Sequence, residues 1–384
     1  MDEAIVVGGG IGGMAVAAAL GLAGWRVRVV ESAPEFREVG AGLAVTANGL
    51  RAAQVIGAGE AIERNGYRLR PVGTRRWDGE WLLRAPDDGG TFMLGIHRQR
   101  LHDAVTGVQD AELVTGARVT AVQAGTPGGE RARVFWESAD GVHEAQADLV
   151  VGADGLRSVT RSILFGNALK YSGFSCWRAA APDRTLDDRY AMVWGPRAEF
   201  GALRISPDEV YWYGYVAMPS GQVIADEVGA VREYFADWAP DVRRMIEATG
   251  EVIRHDVWVL ERPLPRYTDG RVVLIGDAAH PMLPTLGQGA NSALEDAVSL
   301  GLLVRPGQLR AGLAKYEEAR YRRTQKLVNR SQWMGRTGSH LGRGQWLRNA
   351  MLRLTPPRAA LRNAARILDW TPPGSFGAEA IDRR

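Results

Sequence analysis

The stretch Ile5-Val6-Val7-Gly8-Gly9-Gly10-Ile11-Gly12-Gly13 decides how this chain begins to fold. Ile5 to Val7 is a β-branched run and predicts a strand, and the Ala-rich apolar stretch from Ile11 to Ala23 predicts a buried helix. After Gly24, Val27 to Val30 predicts a second strand that ends at Glu31. The glycines between first strand and helix form a GxGxxG. Gly8 serves the tight turn, Gly10 lets backbone N–H groups approach a pyrophosphate, and Gly13 lets helix and strand pack closely. The helix start then presents free N–H groups and the positive dipole end to the phosphates. Glu31 stands 18 residues beyond Gly13. There a carboxylate accepts hydrogen bonds from both hydroxyls of an unphosphorylated ribose. The spacing predicts a dinucleotide-binding βαβ unit without naming the dinucleotide.

Outward from this unit, helical patterns are expected at 48–56, 98–108, 226–237, 240–249, 290–303 and roughly 309–332. A hairpin over 67–84 turns at Asp78-Gly79, and a ribbon over 131–148 turns around Asp140-Gly141. From Tyr171 to Met218 short aromatic-rich strands alternate with turns such as Ser206-Pro207-Asp208. The fold class expected is α/β: a Rossmann-like nucleotide-binding domain with an inserted, mostly antiparallel β-sheet domain and C-terminal helices. Residues 1–70, 95–168 and 268–335 are assigned to the first, 71–94 and 169–267 to the second, and 336–384 to a helical segment.

Composition narrows the class. A chain of 384 residues has room for two or three domains with a large core. Its net charge of +3 is small for that length and is not a nucleic-acid footprint. Cys176 is the single cysteine, which excludes an internal disulfide and any cysteine-built metal or iron–sulfur site. A reducing, cytoplasmic setting is expected. The absence of a long apolar run predicts no membrane span, and a start that enters a strand directly, without a basic region, argues against a signal peptide.

Two further motifs follow apolar strands. Gly152-Ala153-Asp154-Gly155-Leu156-Arg157-Ser158 reads by itself as an ordinary Asp-Gly turn. Gly276-Asp277-Ala278-Ala279-His280-Pro281 leads into Pro284-Thr285-Leu286-Gly287-Gln288-Gly289-Ala290-Asn291. An acid at that strand tip can bind ribityl hydroxyls, and the Gly289, Ala290 and Asn291 amides at the next helix start can face an anionic ring edge. The bland alternative is a capped helix after a loop. Taken together, GGGIGG, GADGLRS and GDAAHPMLPTLGQGAN resemble, in order and separation, the three fingerprints of the group A flavoprotein monooxygenases of the p-hydroxybenzoate hydroxylase type. The resemblance runs over roughly residues 3 to 335, with further echoes in FREVGAGLAVTANGL, HRQRL, YSGFSCWR, YFADWAP and YEEARYRR. It is nearest in flavour to compact members such as salicylate, 3-hydroxybenzoate and urate hydroxylases.

The resemblance implies FAD as resident cofactor, NADH or NADPH as a visiting reductant, and O2 as co-substrate. Gly8, Gly10, Gly13 and Glu31 would hold the ADP half, with Arg98 on the pyrophosphate side. Asp154 would shape the pyrophosphate and nicotinamide approach. Asp277 would bind the ribityl chain, Gly289, Ala290 and Asn291 would lie under the isoalloxazine, and Arg37 and Gly42 along its ring. The implied reaction is hydride transfer to the flavin, formation of a C4a-hydroperoxide with O2, and hydroxylation of an electron-rich ring carbon. A small aromatic (phenolic, indolic or heteroaromatic) is the expected substrate and a monomer or homodimer the expected assembly. Epoxidation of an alkene uses the same oxidant and stays open, as do another flavin oxidoreductase, a NAD-only dehydrogenase and a non-catalytic flavin protein. A halogenase would need a reactive lysine and a WxWxIP motif, which this chain lacks.

For the substrate, Tyr211-Trp212-Tyr213-Gly214-Tyr215 alternates, placing three tyrosines on one sheet face and Trp212 on the other. Trp177, Trp194 and Phe200 add aromatic surface for a dry pocket, although plain sheet packing accounts for most such residues. Tyr211, Tyr213 and Arg204 are the candidates for polarising a substrate hydroxyl or ring N–H, and Arg178 or Arg204 for pairing an anionic substrate. The urate-hydroxylase type carries an arginine near position 199 and an acid at 285. Here Glu199 and Thr285 stand there, which favours a more neutral ring. His97 and His280 border the motifs and read as structural. The arginines of the last 50 residues read as solvated helix faces, an oligomer contact or a membrane-surface helix being the alternatives.

Overall fold

The computed structural model describes residues 1–36, 41–85, 92–166, 168–339, 341–342 and 344–376. Arg37 lies outside them.

The opening motif folds as its spacing predicts. Strand Glu3–Val7 leads into helix Ile11–Leu22, and strand Arg26–Val30 returns parallel to the first, Ala4 beside Val27 and Val7 beside Val30. Gly8 has φ +99°, and a Cβ on Gly13 would stand 1.9 Å from the Gly8 carbonyl oxygen. Only glycines allow this turn. The six-stranded sheet runs Thr268–Asp269, Val272–Leu274, Leu149–Gly152, Glu3–Val7, Arg26–Val30, Glu112–Val114, parallel except at its first pair. The three motif strands are therefore neighbours, Glu3–Val7 flanked by Leu149–Gly152 with Val272–Leu274 beyond. Their C-terminal ends open on one edge, where α/β sheets bind ligands.

Helix Ile11–Leu22 is Ala-rich because another helix lies directly on it. A Cβ on Gly301, in helix Gly289–Leu303, would meet the Ala19 Cβ at 2.6 Å. Helix Gly289–Leu303 is almost wholly buried and polar at its centre. Fully buried Glu295 and Asp296 are neutralised by Arg320 of the long helix Leu309–Met334 at 2.6 and 2.7 Å. Arg323 adds a second contact to Glu295, and Asn48 donates to it at 2.6 Å. His280 Nε2 sits 2.6 Å from Asp296, whose carboxylate also accepts the Gly276 amide. Burial alone would raise the Asp296 pKa, but His280 and Arg320 outweigh it and hold it down at about 2. His280 is thus structural, as its place beside proline suggested.

Nine strands form the second sheet. Leu169–Pro182, Arg189–Gly195, Ala198–Arg204, Glu209–Ala217 and Ile253–Leu260 pair antiparallel where adjacent, and Arg189–Gly195 runs parallel to Tyr67–Arg76. The hairpin Tyr67–Arg76 with Trp81–Arg84 turns through Gly79 at φ +94°. Strands Gly42–Thr46 and Met93–His97, sequence-assigned largely to the nucleotide-binding part, hydrogen-bond into this same sheet. Helices Glu227–Tyr234 and Pro240–Glu247 cover one face, burying Trp177, Phe200, Trp212, Phe235 and Trp238. The other face, with Tyr211 and Tyr213, looks back at the motif loops. A three-stranded antiparallel sheet, Arg118–Gln123, Ala132–Ser138 and Gly141–Ala147, completes the body. Among the described residues no helix is long and apolar enough to cross a membrane.

Candidate active site

Between the two sheets lies a cavity of about 410 Å³. One end is bounded by Gly10, Ile11 and Gly12 of the first motif and by Ala153 and Gly155 of the second. Asp277 and Gly287–Ala290 line the middle. Tyr190, Met192, Leu203, Tyr211 and Tyr213 wall the far end, with Arg98, Arg178 and Gly42 along the sides. Segments more than 250 residues apart in sequence thus converge on one space. A second concavity, of about 430 Å³, lies between the hairpin and helix Pro240–Glu247. Arg75 and Asp241 neutralise each other across it at 2.7 Å, and no motif reaches it.

In the middle of the cavity the donors are backbone. Ser292 makes the opening intrahelical bond of helix Gly289–Leu303, to the Gln288 carbonyl at 2.8 Å. The Gly289, Ala290 and Asn291 amides precede it, so helix geometry gives them no partner within the helix. The Asn291 side chain is a structural clamp. It accepts the Thr46 amide at 3.0 Å and donates to the Ala44 and Gly287 carbonyls at 3.0 and 2.9 Å. This clamp seats strand Gly42–Thr46 against the helix start. Gly42 is needed because a Cβ there would meet the Tyr211 Cβ at 2.7 Å.

The acids divide. Glu31 accepts the Gly9 amide at 2.6 Å and the Ala33 amide at 2.7 Å, holding the glycine loop at the strand end. Asp154 turns inward, accepting from Ser158 Oγ at 2.5 Å and from the Thr160 amide and hydroxyl at 2.9 and 3.0 Å. Its carboxylate shapes the second motif loop and does not line the cavity. Asp277 does line it. Arg161, unnoticed in the sequence, joins the second and third motifs by donating to Leu156, Asp277 and Ala278 carbonyls. Its one legible signal is its place in the helix turn that Ser158 caps.

Among the substrate-side candidates the structure separates the two arginines. Arg178 lines the cavity, its Nε on the Cys176 sulfur at 3.5 Å. Arg204 does not. It is 3% exposed and clamps the carbonyls of Leu186, Asp183 and Pro207, the last two at 2.9 and 2.6 Å. The expectation that Arg204 polarises substrate is corrected on this ground, because three backbone acceptors consume its donors. Trp177 and Phe200 face the helices and take no part in the cavity.

Glu199 carries a role that its position alone did not reveal. It is 1% exposed and has no cation among its hydrogen-bond partners, which are Trp194 Nε1 at 3.1 Å and the Tyr213 hydroxyl at 2.9 Å. The Tyr213 hydroxyl is 3.1 Å from that of Tyr190, so two tyrosine side chains link the buried carboxyl to the cavity. Burial pushes the Glu199 carboxyl up to about 7, against the lowering effect of its two donors. Burial likewise pushes Tyr211 up to about 12, so it is neutral and able to donate.

The residues present fit a flavin dinucleotide. The glycine turn leaves space that any side chain would fill, Gly289 and Ala290 at the helix start line the cavity with amides that have no partner inside the helix, and the same cavity has an aromatic wall. Residues 2–331 match the family described as FAD binding domain. The chain is 33% identical to the aurachin C monooxygenase/isomerase of Stigmatella aurantiaca, over 96% of this chain and 98% of that protein. It is 35% identical to the 3-amino-4-hydroxybenzoate 2-monooxygenase of Streptomyces cremeus, over 85% of each. Klebsiella pneumoniae HpxO, solved with FAD and uric acid, superposes with a TM-score of 0.84 at 26% identity, over 96% of each chain. With the family matched along most of its length and relatives at 33% and 35% identity covering 96% and 85% of it, this chain belongs to the FAD-binding family of flavin-dependent monooxygenases.

Proposed function

We propose that the protein hydroxylates a small aromatic or heteroaromatic ring bearing an O–H or N–H group, using FAD, NAD(P)H and O2. The single observation that carries this is the continuity of the cavity, from helix-start amides suited to a flavin to a tyrosine wall backed by a buried carboxyl. Relatives named for aminohydroxybenzoate and 6-hydroxynicotinate oxygenation support the ring class, and alkene epoxidation is not favoured.

Gly8, Gly10 and Gly13 would admit the pyrophosphate, Glu31 would order the ribose side, and Arg98 would face the phosphates. Asp277 would take the ribityl chain. The Gly289, Ala290 and Asn291 amides would face the ring edge that becomes negative on reduction, with Gly42 beside it. When bound, FAD supplies the reducing-equivalent relay and the oxygen activation that no side chain provides. The chain's own tasks are to orient the ring, exclude water and manage a proton. A substrate O–H donating to the Tyr190 oxygen releases the Tyr190 proton to Tyr213, and the Tyr213 proton to the Glu199 carboxylate. The substrate oxygen is left negative and Glu199 neutral, and the ring carbons become more electron-rich. Arg178 would steady that negative charge. Thr285, bonded to the Ser331 carbonyl at 3.0 Å, offers no anion at the place where the urate type has one.

The single cysteine supports a reducing, cytoplasmic setting. The test is a screen of aromatics for stimulated NADH and NADPH oxidation, with products weighed for one added oxygen. Absence of a flavin band after reconstitution with FAD sinks the cofactor reading. A yellow enzyme that oxygenates no aromatic sinks the substrate reading.

A further inference from the structure

The C-terminal helix Gln345–Leu354 is built inside out. It buries Arg348 and Asn349 and turns Leu347, Met351 and Leu354 outward, three residues whose spacing puts them on one side. Leu354 is 82% exposed and Trp346, beside them, 71%. Trp333, the other exposed tryptophan among the described residues, lies shortly upstream. The inner side is well held. Arg348 donates to the Gly338 carbonyl and to Asn349 Oδ1, and stands 5.2 Å over the Trp194 ring. The helix is docked through its polar side, and the row of large apolar side chains is what it offers to the outside.

Positive charge is concentrated in the same stretch of sequence. Between Glu318 and Asp369 there is no acidic residue but twelve arginines and lysines, leaving −9 for the rest of a chain whose net charge is +3. Arg320 and Arg323 are taken up by Glu295, and Arg353 meets Glu80 at 2.6 Å. Arg358, Arg362 and Arg366 are exposed along one side of the next helix, Pro357–Leu368, and neither helix holds an acid to neutralise them.

We propose that this face docks on an anionic lipid surface. Trp346, Leu347, Met351 and Leu354 would sink into the headgroup–acyl boundary while Arg358, Arg362 and Arg366 meet the lipid phosphates. Exposed Trp and Leu beside arginines, on helices too short and too charged to span, is the composition that binds in the plane of the interface. A symmetric dimer through this face would press two cationic segments together. A nucleic acid would satisfy the arginines but leave the apolar row wet. The face also lies close behind the cavity. The turn Gly335–Ser339 that precedes the helix packs on Leu283, which lines the cavity, and on Trp194, which holds Glu199.

The experiment is flotation of the FAD-loaded enzyme with phosphatidylcholine vesicles and with vesicles containing an equal part of phosphatidylglycerol. Binding to the anionic vesicles alone is expected, and it should fall with added salt. Replacing Trp346, Leu347, Met351 and Leu354 together by serine should abolish flotation while the flavin spectrum and melting temperature stay unchanged. Replacing Arg358 and Arg362 by serine should weaken it roughly tenfold or more. Wild-type enzyme that stays free of both vesicles overturns the proposal. So does a dimer in solution that the serine variant converts to monomer, or duplex DNA binding that survives loss of the apolar row.

Discussion

The two ends of the cavity are made of different material. The dinucleotide end is backbone: glycines whose missing Cβ atoms make room, and helix-start amides with no partner inside their helix. The aromatic end is side chain: Tyr211 and Tyr213 from one strand and Tyr190 from another, with Glu199 and Trp194 behind them. A backbone site tolerates almost no change because its shape is the fold itself. A side-chain site can be altered one group at a time while the fold stands, and that is how relatives sharing one cofactor can differ in substrate.

The largest effect should come from Gly13→Val, which drives a side chain into the Gly8 carbonyl oxygen. Flavin binding should vanish, and activity fall by roughly a thousandfold or more, as a forced core overlap would cost several kcal/mol. A titration with FAD followed by absorbance checks it, and a yellow, active Gly13→Val enzyme would break the contrast. Next is Arg320→Ala, which strands the buried Glu295 and Asp296 beside the same helix. It should cost about 3–5 kcal/mol of stability, read by denaturant unfolding.

At the other end, Tyr213→Phe should leave the flavin spectrum intact and lower kcat/KM by about tenfold to a hundredfold, the range for losing a hydrogen bond to a charged group. More NADPH should then be consumed per oxygenated product. The two arginines sharpen the contrast within one sheet. Arg178→Gln should raise KM about tenfold with an unchanged melting temperature, whereas Arg204→Gln should lower the melting temperature and leave product regiochemistry untouched.

The smallest effect is a pH dependence. Burial raises the Glu199 pKa to about 7, so the folded chain keeps a proton that the unfolded chain loses in the ordinary carboxylate range. Stability from this group is therefore fully present below that range and declines as pH rises to about 7. Activity should run the opposite way, rising through about pH 7 as the carboxylate becomes free to take a proton. Glu199→Gln should flatten both profiles, and a parallel shift of both in the same direction would count against the proton chain.

The unequal legibility of the two ends has the same origin. Glycine turns, strand-end acids and helix starts are local, so GGGIGG, GADGLRS and GDAAHPMLPTLGQGAN could be read within a few residues each. The face-sharing of Tyr211 and Tyr213 was legible too, through strand alternation. Arg204 was not, because nothing local tells whether an arginine near a loop meets a substrate or three carbonyls of its own chain. Asp154 lines up in the motif yet spends its carboxylate on Ser158 and Thr160. Glu199 stood out as a departure, but its meaning needed the partners that two neighbouring strands bring to it.

By itself, then, the order of residues determined the dinucleotide turn, the strands on either side of it and the helices that flank them, since each follows from a pattern only a few residues long. Only tertiary structure decided that strands Gly42–Thr46 and Met93–His97 join the aromatic sheet, that Arg161 ties two motifs together, and that a buried carboxyl stands behind Tyr213. Those outcomes depend on which distant segments are pressed together and which charges then find partners, and a linear pattern does not encode such long-range pairings.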